Sequence, residues 1–299
     1  MASVAGTSVG AAPRRKRGPV LHFIGRLLHE KPLGAVCAII FILFLFCGIF
    51  ADFLAPYGYN KISPLNRLKP PSWAFPFGTD NLGRDMLSRC LYGAQLSVII
   101  GFCAAGIATV ISVVLGIVSG YIGGKFDLVL QRFVDAWMSF PDLIILIVVV
   151  SVVGPGMPQI IVTLGLLLGI AGSRIVRSAV VSVRENMYVH AAQSTGASTF
   201  RILWRHILPN VMAPVIVLFT TRVGTVILAE SGLSFLGLGV PPPAPTWGGL
   251  LSGSGRTFML QGPWLALAPG LCLTVVVYAT NMFGDALRDL LDPRMRGSR

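Results

Sequence analysis

The chain has 299 residues, of which 54% are apolar and only 12% charged, and its mean hydropathy is +0.75. That is about half the charge of a typical soluble domain and too much apolar surface for a water-soluble fold of this size, so the natural solvent is hydrocarbon. The net charge of +12 does not make it a nucleic-acid binder, because the basic residues stand at the ends of apolar runs, as the positive-inside rule requires.

Residues 1–12 are small and featureless and precede Arg14, Arg15, Lys16 and Arg17. This pattern predicts a basic, unstructured cytoplasmic tail over 1–32. A secretory signal is the competing reading, but the apolar run that follows is too long for a signal core and suits a spanning helix. A transmembrane domain is predicted over 33–286, with spans at about 34–55, 94–121, 133–153, 158–175, 208–230 and 264–284, and a cytoplasmic tail over 287–299. Gly116 and Gly120, and again Gly165 and Gly169, are four apart, the spacing at which small residues let helices approach closely. The third span is expected to run through Pro141 and Asp142. Seventeen basic residues fall in the segments on one side and six on the other, which predicts both termini in the cytoplasm.

Two predicted outside loops are long and proline-rich. In the first, Thr79 or Asp80 is expected to cap a short helix from Leu82 to Tyr92 that carries Arg84 and Arg89. The second spans 231–263 and carries Pro241-Pro242-Pro243. The five cysteines show no CxxC or Cys/His ligand spacing, so neither a disulfide framework nor a metal site is expected. His190 and His206 are too far apart to read as a preformed metal pair, and His22 and His29 carry no specific signal.

The inside segment 176–207 is the most informative. Around His190-Ala191-Ala192 it reads as a short helix with a nearly bare face, then a turn at Gly196-Ala197, then an amphipathic helix through Arg201 and His206 that ends before Leu208-Pro209. Phe200, Leu203, Trp204 and Ile207 fall at helical spacing and are expected to anchor the unit to the bundle. A bare knob on a rigid stem suits docking in a partner's groove. The spacing resembles the Glu-Ala-Ala loop of ABC importer permeases, in which that loop couples to an ATPase subunit. His190 stands where the pattern has Glu, which removes an acidic partner there and leaves the small-residue face.

Four further stretches are similar to the C-type subunit of the dipeptide/oligopeptide/nickel branch: Gly78-Thr79-Asp80-Asn81-Leu82-Gly83-Arg84-Asp85, Gly120 to Gly124, Ser231 to Gly239, and Gly284 to Pro293. The resemblance implies an all-α membrane protein with six transmembrane helices in the type I (MetI-like) ABC importer permease fold, in a bacterial inner membrane. It implies a second homologous permease, two cytosolic ATP-binding subunits that hold ATP and Mg, and an extracytoplasmic solute-binding protein. Short peptides are the expected cargo, with nickel chelates, glutathione, opines or oligosaccharides as alternatives in the same branch. No cofactor is expected in this chain itself. It carries no GxxxxGK[ST]; Gly123-Gly124-Lys125 is followed by Phe126.

Charged residues inside apolar runs are expensive and frequently functional. Arg222, Asp142 and Glu230 are therefore the candidate path residues. For Arg222 the competing reading is a structural pair, with Glu230 as partner, or snorkelling. For Asp142 it is a helix cap, and for Glu230 an ion pair at the rim. Asp285, Arg288, Asp289 and Asp292 share one helix surface, read as a solvated face with internal pairs or as an ATPase contact. Two rival functions, a self-contained secondary transporter and a membrane enzyme, lack internal duplication and catalytic motifs respectively.

Overall fold

The structure is a computed structural model that describes residues 19–291. The expected tail around Arg14–Arg17, the side chain of His22, and Asp292 with the C-terminal end lie outside the described residues. Every regular element among the described residues is helical. In chain order they are α1 Pro19–Glu30, α2 Pro32–Ile49, the short α3 Ala51–Leu54, α4 Met86–Ile122, α5 Gly124–Met138, α6 Asp142–Val153, α7 Met157–Arg184, α8 Met187–Ser194, α9 Thr199–Ile202, α10 Leu208–Phe235, α11 Trp247–Leu250 and α12 Trp264–Leu291. Five of them, α2, α4, α7, α12 and the unit that runs through α9 and α10, are long and apolar enough to cross a membrane, and the bent pair α5–α6 brings the number to six when it is counted as one span.

The bundle is organised by a seam of small residues between α4 and α7. Ala104, Ala108, Ser112, Gly116 and Gly120, every fourth residue of α4, are all buried. A Cβ on Gly165 would sit 2.6 Å from Ile107, one on Gly169 2.8 Å from Ile111, one on Gly116 2.6 Å from Val176, and one on Gly120 3.0 Å from Val180. The backbones therefore approach as closely as bare glycine faces allow, where van der Waals packing rather than hydrophobic exclusion holds helices together in lipid. Ser112 Oγ donates to the Gly169 carbonyl at 2.8 Å across the seam.

The paired numbers rise together along both helices, so α4 and α7 run parallel. The chain over 123–156 must then return from the end of α4 to the start of α7. It does so as two helices, not the continuous 133–153 span expected from the sequence: α5 and α6 meet at 80°. Pro141 explains the break, since it offers no N–H to a preceding turn and pushes Phe140 out of the helical region. Helix α5 begins earlier than expected, at Gly124, and is docked by polar contacts. Asp127 accepts from Arg177 Nε at 2.6 Å and also pairs with Arg177 Nη2 and Ser119 Oγ, while Asp135 pairs with Arg174. Helix α6 buries Leu146 and Val150 against Ile160, Leu164 and Val226.

Helix α2 stops at Ile49, short of its predicted end near 55, whereas three later helices outrun their predicted spans. Helix α7 continues to Arg184, α10 to Phe235 and α12 to Leu291. Helix α1, within the expected tail, packs Leu27 against Ala286 and Leu290 of α12, where Lys31 pairs with Asp289 at 2.5 Å.

Candidate functional site

Three constellations gather the residues singled out by the sequence. The first is the segment after α7. Asn186 Nδ2 caps the end of α7 by donating to the Val183 carbonyl at 3.0 Å, and α8 follows from Met187. Gly196 has φ +79°, which only glycine adopts freely, and Ser198 then accepts from the Arg201 N–H as cap of α9. Val189, Ile202 and Ile207 are fully buried against Ile117, Val176, Val180 and Val211. These are the anchors. Of the four expected, Ile207 holds and Leu203 is half-buried, but Phe200 and Trp204 are 75% and 66% exposed and stack on each other 6.3 Å apart. The cause is a π turn over Leu203–Ile207, whose extra residue rotates the register so that Ile202 and Ile207, five apart, share the inner face.

Ala191 is exposed and Ala192 half-buried on α8, beside a hollow of about 460 Å³ lined by Tyr188, Ala191, Ala192, Thr195, Ala197, Arg201, Arg205 and His206. His190 is exposed next to it, and the His206 ring lies 6.3 Å from Tyr188. Arg201 and Arg205 enter no ion pair among the described residues. Leu208 and Pro209 open α10, where a missing N–H costs nothing.

The second constellation is the Gly78–Asp85 stretch. Asp80 is completely buried. Its Oδ1 accepts from the N–H groups of Leu82 and Arg84 at 2.8 and 2.9 Å, and its Oδ2 from Arg84 Nε at 2.7 Å and Arg89 Nη1 at 3.5 Å. Thr79 Oγ1 accepts from the Lys69 N–H at 2.8 Å and donates to the Asn66 carbonyl, and the Leu68 N–H donates to the Asp80 carbonyl at 3.0 Å. Trp264 Nε1 donates to the Thr79 carbonyl at 3.1 Å, which ties the loop to α12. Gly78 and Gly83 have φ +70° and +74°; a Cβ on Gly83 would strike the Ser63 carbonyl. Neither Thr79 nor Asp80 caps a helix. Asp85 does, accepting from the Ser88 N–H at 2.8 Å, so the helix starts at Met86 rather than Leu82 and is continuous with the second span. Arg84 precedes it. The motif is a polar clamp that folds the loop onto the helix ends.

The third set of candidates, Arg222, Glu230 and Asp142, is not joined by any hydrogen bond or salt bridge among the described residues. Arg222 on α10 is 8% exposed, and its Nε and Nη1 are buried without a hydrogen-bond partner. Its guanidinium fits against bare Gly172 of α7, beside Ser112 Oγ; a Cβ on Gly172 would collide with both. The expected pair with Glu230 is not formed. Glu230 is 1% exposed and accepts from Ser234 Oγ at 2.6 Å and Ser231 Oγ at 3.4 Å, so it is held by hydroxyls and forms no rim ion pair. Asp142 sits exposed at the α5–α6 elbow, as the first residue of α6, and enters no salt bridge among the described residues. Of the predicted charged face, Asp289 pairs with Lys31, and no salt bridge joins Asp285, Arg288 and Asp289 to one another among the described residues.

The sequence reading missed the Asp127–Arg177 pair, the Gly172–Ser112 cradle, and the buried Trp247, whose Nε1 donates to the Cys90 carbonyl at 3.0 Å. Partners 50 to 157 positions apart leave no local spacing to read. Among the described residues no group of His, Cys, Asp or Glu could hold a metal ion.

Residues 112–297 match the family described as "Binding-protein-dependent transport system inner membrane component". The chain belongs to that family. Residues 25–71 match a second description, the "N-terminal TM domain of oligopeptide transport permease C". The Dipeptide transport system permease protein DppC of Alkalihalophilus pseudofirmus is 40% identical over 90% of this chain and 88% of its own length. The Oligopeptide transport system permease protein OppC of Bacillus subtilis is 38% identical over 90% and 88%. The Di/tripeptide transport system permease protein DppC of Pseudomonas aeruginosa is 36% identical over 94% of each. Among solved structures, a chain of the inward-facing MetNI methionine ABC transporter aligns with TM-score 0.58 and 17% identity over 69% of this chain and 98% of that one, a likeness of fold. The protein is thus a C-type binding-protein-dependent permease, a multi-pass component of a bacterial inner membrane.

Proposed function

We propose that this permease forms half of the translocation path of an ATP-driven importer for short peptides, with a second homologous permease as the other half. The relatives' names supply the cargo class. Two cytosolic subunits would bind ATP and Mg and hydrolyse the nucleotide, and an extracytoplasmic protein would deliver the peptide. Both termini would lie in the cytoplasm, with the membrane domain over 33–286. The permease does no covalent chemistry in this reading; it rocks between outward- and inward-open states.

The observation that carries the reading is the α8–α9 unit. It presents a bare Ala191–Ala192 face beside a hollow walled by Arg201, Arg205 and His206, and Val189, Ile202 and Ile207 bolt it to α4, α7 and α10. A knob so fixed transmits a push from a docked partner into the bundle. Arg222 and Asp142 would border the path, and Glu230 would hold the outer end of α10.

The test is co-purification of the tagged permease in mild detergent, with ATP hydrolysis measured on the captured complex. A second membrane chain and ATPase chains in fixed ratio, with hydrolysis lost when Ala191, Ala192 and Gly196 are replaced by bulky residues, is the expected result. A lone chain that transports in liposomes without ATP would refute it.

A further inference from the structure

The segment over 187–210 contains two arginines, two histidines and no aspartate or glutamate. Arg201 and Arg205 are exposed, stand four residues apart and line the same hollow of about 460 Å³. Like charges at that spacing disfavour each other, and neither arginine enters an ion pair among the described residues. The carboxylate next in sequence, Glu185, lies 3.6 Å from Arg184 instead. The other wall of the hollow is the Ala191–Ala192 face. Whatever seats on those alanines therefore brings its own surface against two guanidinium groups. Arginines in open water need no partner, but covered ones do, because a guanidinium has five N–H groups and keeps its proton. Phe200 and Trp204 stand two positions either side of the buried Ile202, stack on each other in the open and do not line the hollow. The aromatic face that suits lipid headgroups is thus separate from the cationic hollow, which belongs to the alanine face.

Resting on the importer reading, we propose that the hollow is a carboxylate receptor: an acidic side chain of the docked ATPase subunit enters between Arg201 and Arg205, so that this permease selects a motor with an acidic docking groove. A carboxylate supplies the acceptors that both guanidinium groups lack, in the planar fork geometry they match. His190, exposed beside Ala191, fits this polarity. A glutamate in its place would face the same acidic groove and repel it. Charges so arranged across an interface steer encounter and penalise wrong partners, so the receptor sets which ATPase docks.

The experiment uses the assembled importer, captured through a tag on this permease. R201K and R205K, made singly, keep the charge and put a primary amine where each guanidinium stood. A water-soluble carbodiimide then joins amine to carboxylate only where the two touch. Each lysine variant is expected to give an adduct with the ATPase chain that the wild type lacks, and mass spectrometry should trace it from position 201 or 205 to an Asp or Glu of the ATPase. In parallel, capture of the ATPase is titrated. R201Q and R205Q should each weaken it about ten- to a hundredfold. H190E should weaken it too, and added salt should weaken the wild type. Co-capture of the second permease shows that each variant folds and assembles. Wild-type ATPase affinity in both R201Q and R205Q, or tighter capture by H190E, would overturn the receptor and leave the importer reading intact. So would the absence of adducts from both lysine variants in a complex that still holds the ATPase. So, too, would variants that keep the ATPase but lose stimulation by phosphatidylglycerol vesicles, which would assign the hollow to headgroups. A wild-type permease that captures no ATPase would overturn the importer reading, and the receptor with it.

Discussion

Replacement of Asp80 by alanine tests whether the Gly78–Asp85 stretch is a clamp. The carboxylate is wholly buried and accepts from two backbone N–H groups and from Arg84 and Arg89, whose side chains are 13% and 8% exposed. Its removal strands two arginines and two amides at once. Breaking a buried pair by deleting one partner costs about 3–5 kcal/mol; the partial exposure of Arg84 places the lower end of that range nearer the outcome. The whole protein need not unfold, because the loss falls on local opening of the loop. The peptide bond from Arg67 to Leu68 reports it, since the Leu68 N–H is held by the Asp80 carbonyl. Trypsin cleavage there tracks the open population when opening is fast, and each 1.4 kcal/mol is a factor of ten. About 3 kcal/mol therefore predicts at least a hundredfold faster cutting after Arg67 in Asp80→Ala in outward-accessible vesicles, with Asp80→Asn intermediate. Unchanged cleavage at that bond in Asp80→Ala would refute the clamp.

Three further outcomes follow from the packing. Asp127→Asn should lower the stability of the solubilised protein by about 1–3 kcal/mol, discounted because Arg177 is 33% exposed, and the Asp127→Asn/Arg177→Gln double variant should lose less than the sum of the singles in thermal denaturation. Gly116→Leu should overpack the α4–α7 seam by about 1–3 kcal/mol or more and lower the thermal midpoint, whereas Gly106→Ala, with nothing within 4 Å of its added carbon, should leave it unchanged. Ile202→Ala should cost about 2–5 kcal/mol, but Phe200→Ser and Trp204→Ser should each stay within about 0.5 kcal/mol, measured the same way.

The sequence made the membrane class and the helix–turn–helix form of the segment around Gly196 legible because each is written in composition or short spacing. A charge-free run from Cys90 to Gly124 is long enough to span, and the bend at Gly196 is written within a few positions of it. What escaped was set by geometry between distant residues. Thr79, Asp80 and Asp85 are equally eligible caps in one dimension, and only the fold of the loop over Ser63–Lys69 assigns Thr79 and Asp80 to the clamp and Asp85 to the helix. Pro141 was visible as a breaker, but an apolar run on both sides of it reads as one span, and the 80° angle is fixed by where α5 and α6 find their partners. The burial of Ile202 and exposure of Trp204 depend on a single inserted residue in a π turn, which has no composition signature. Arg222 was conspicuous as a charge, yet its unpaired state depends on Glu230 having found Ser231 and Ser234 instead.

The parallel seam between α4 and α7 also dictates the order in which the protein enters its bilayer. Ile107 and Ile111 meet Gly165 and Gly169, so each partner is synthesised 58 residues after the side chain it packs against. At about 5–20 residues per second, the small-residue face of α4 waits roughly 3–12 s for its mate. Helices α5 and α6 are made in that interval, and the Arg177 that fixes Asp127 arrives only with the second half of α7. The kinked segment is therefore already in the membrane when the seam closes over it, and α7 acts as the late bolt of the nascent bundle.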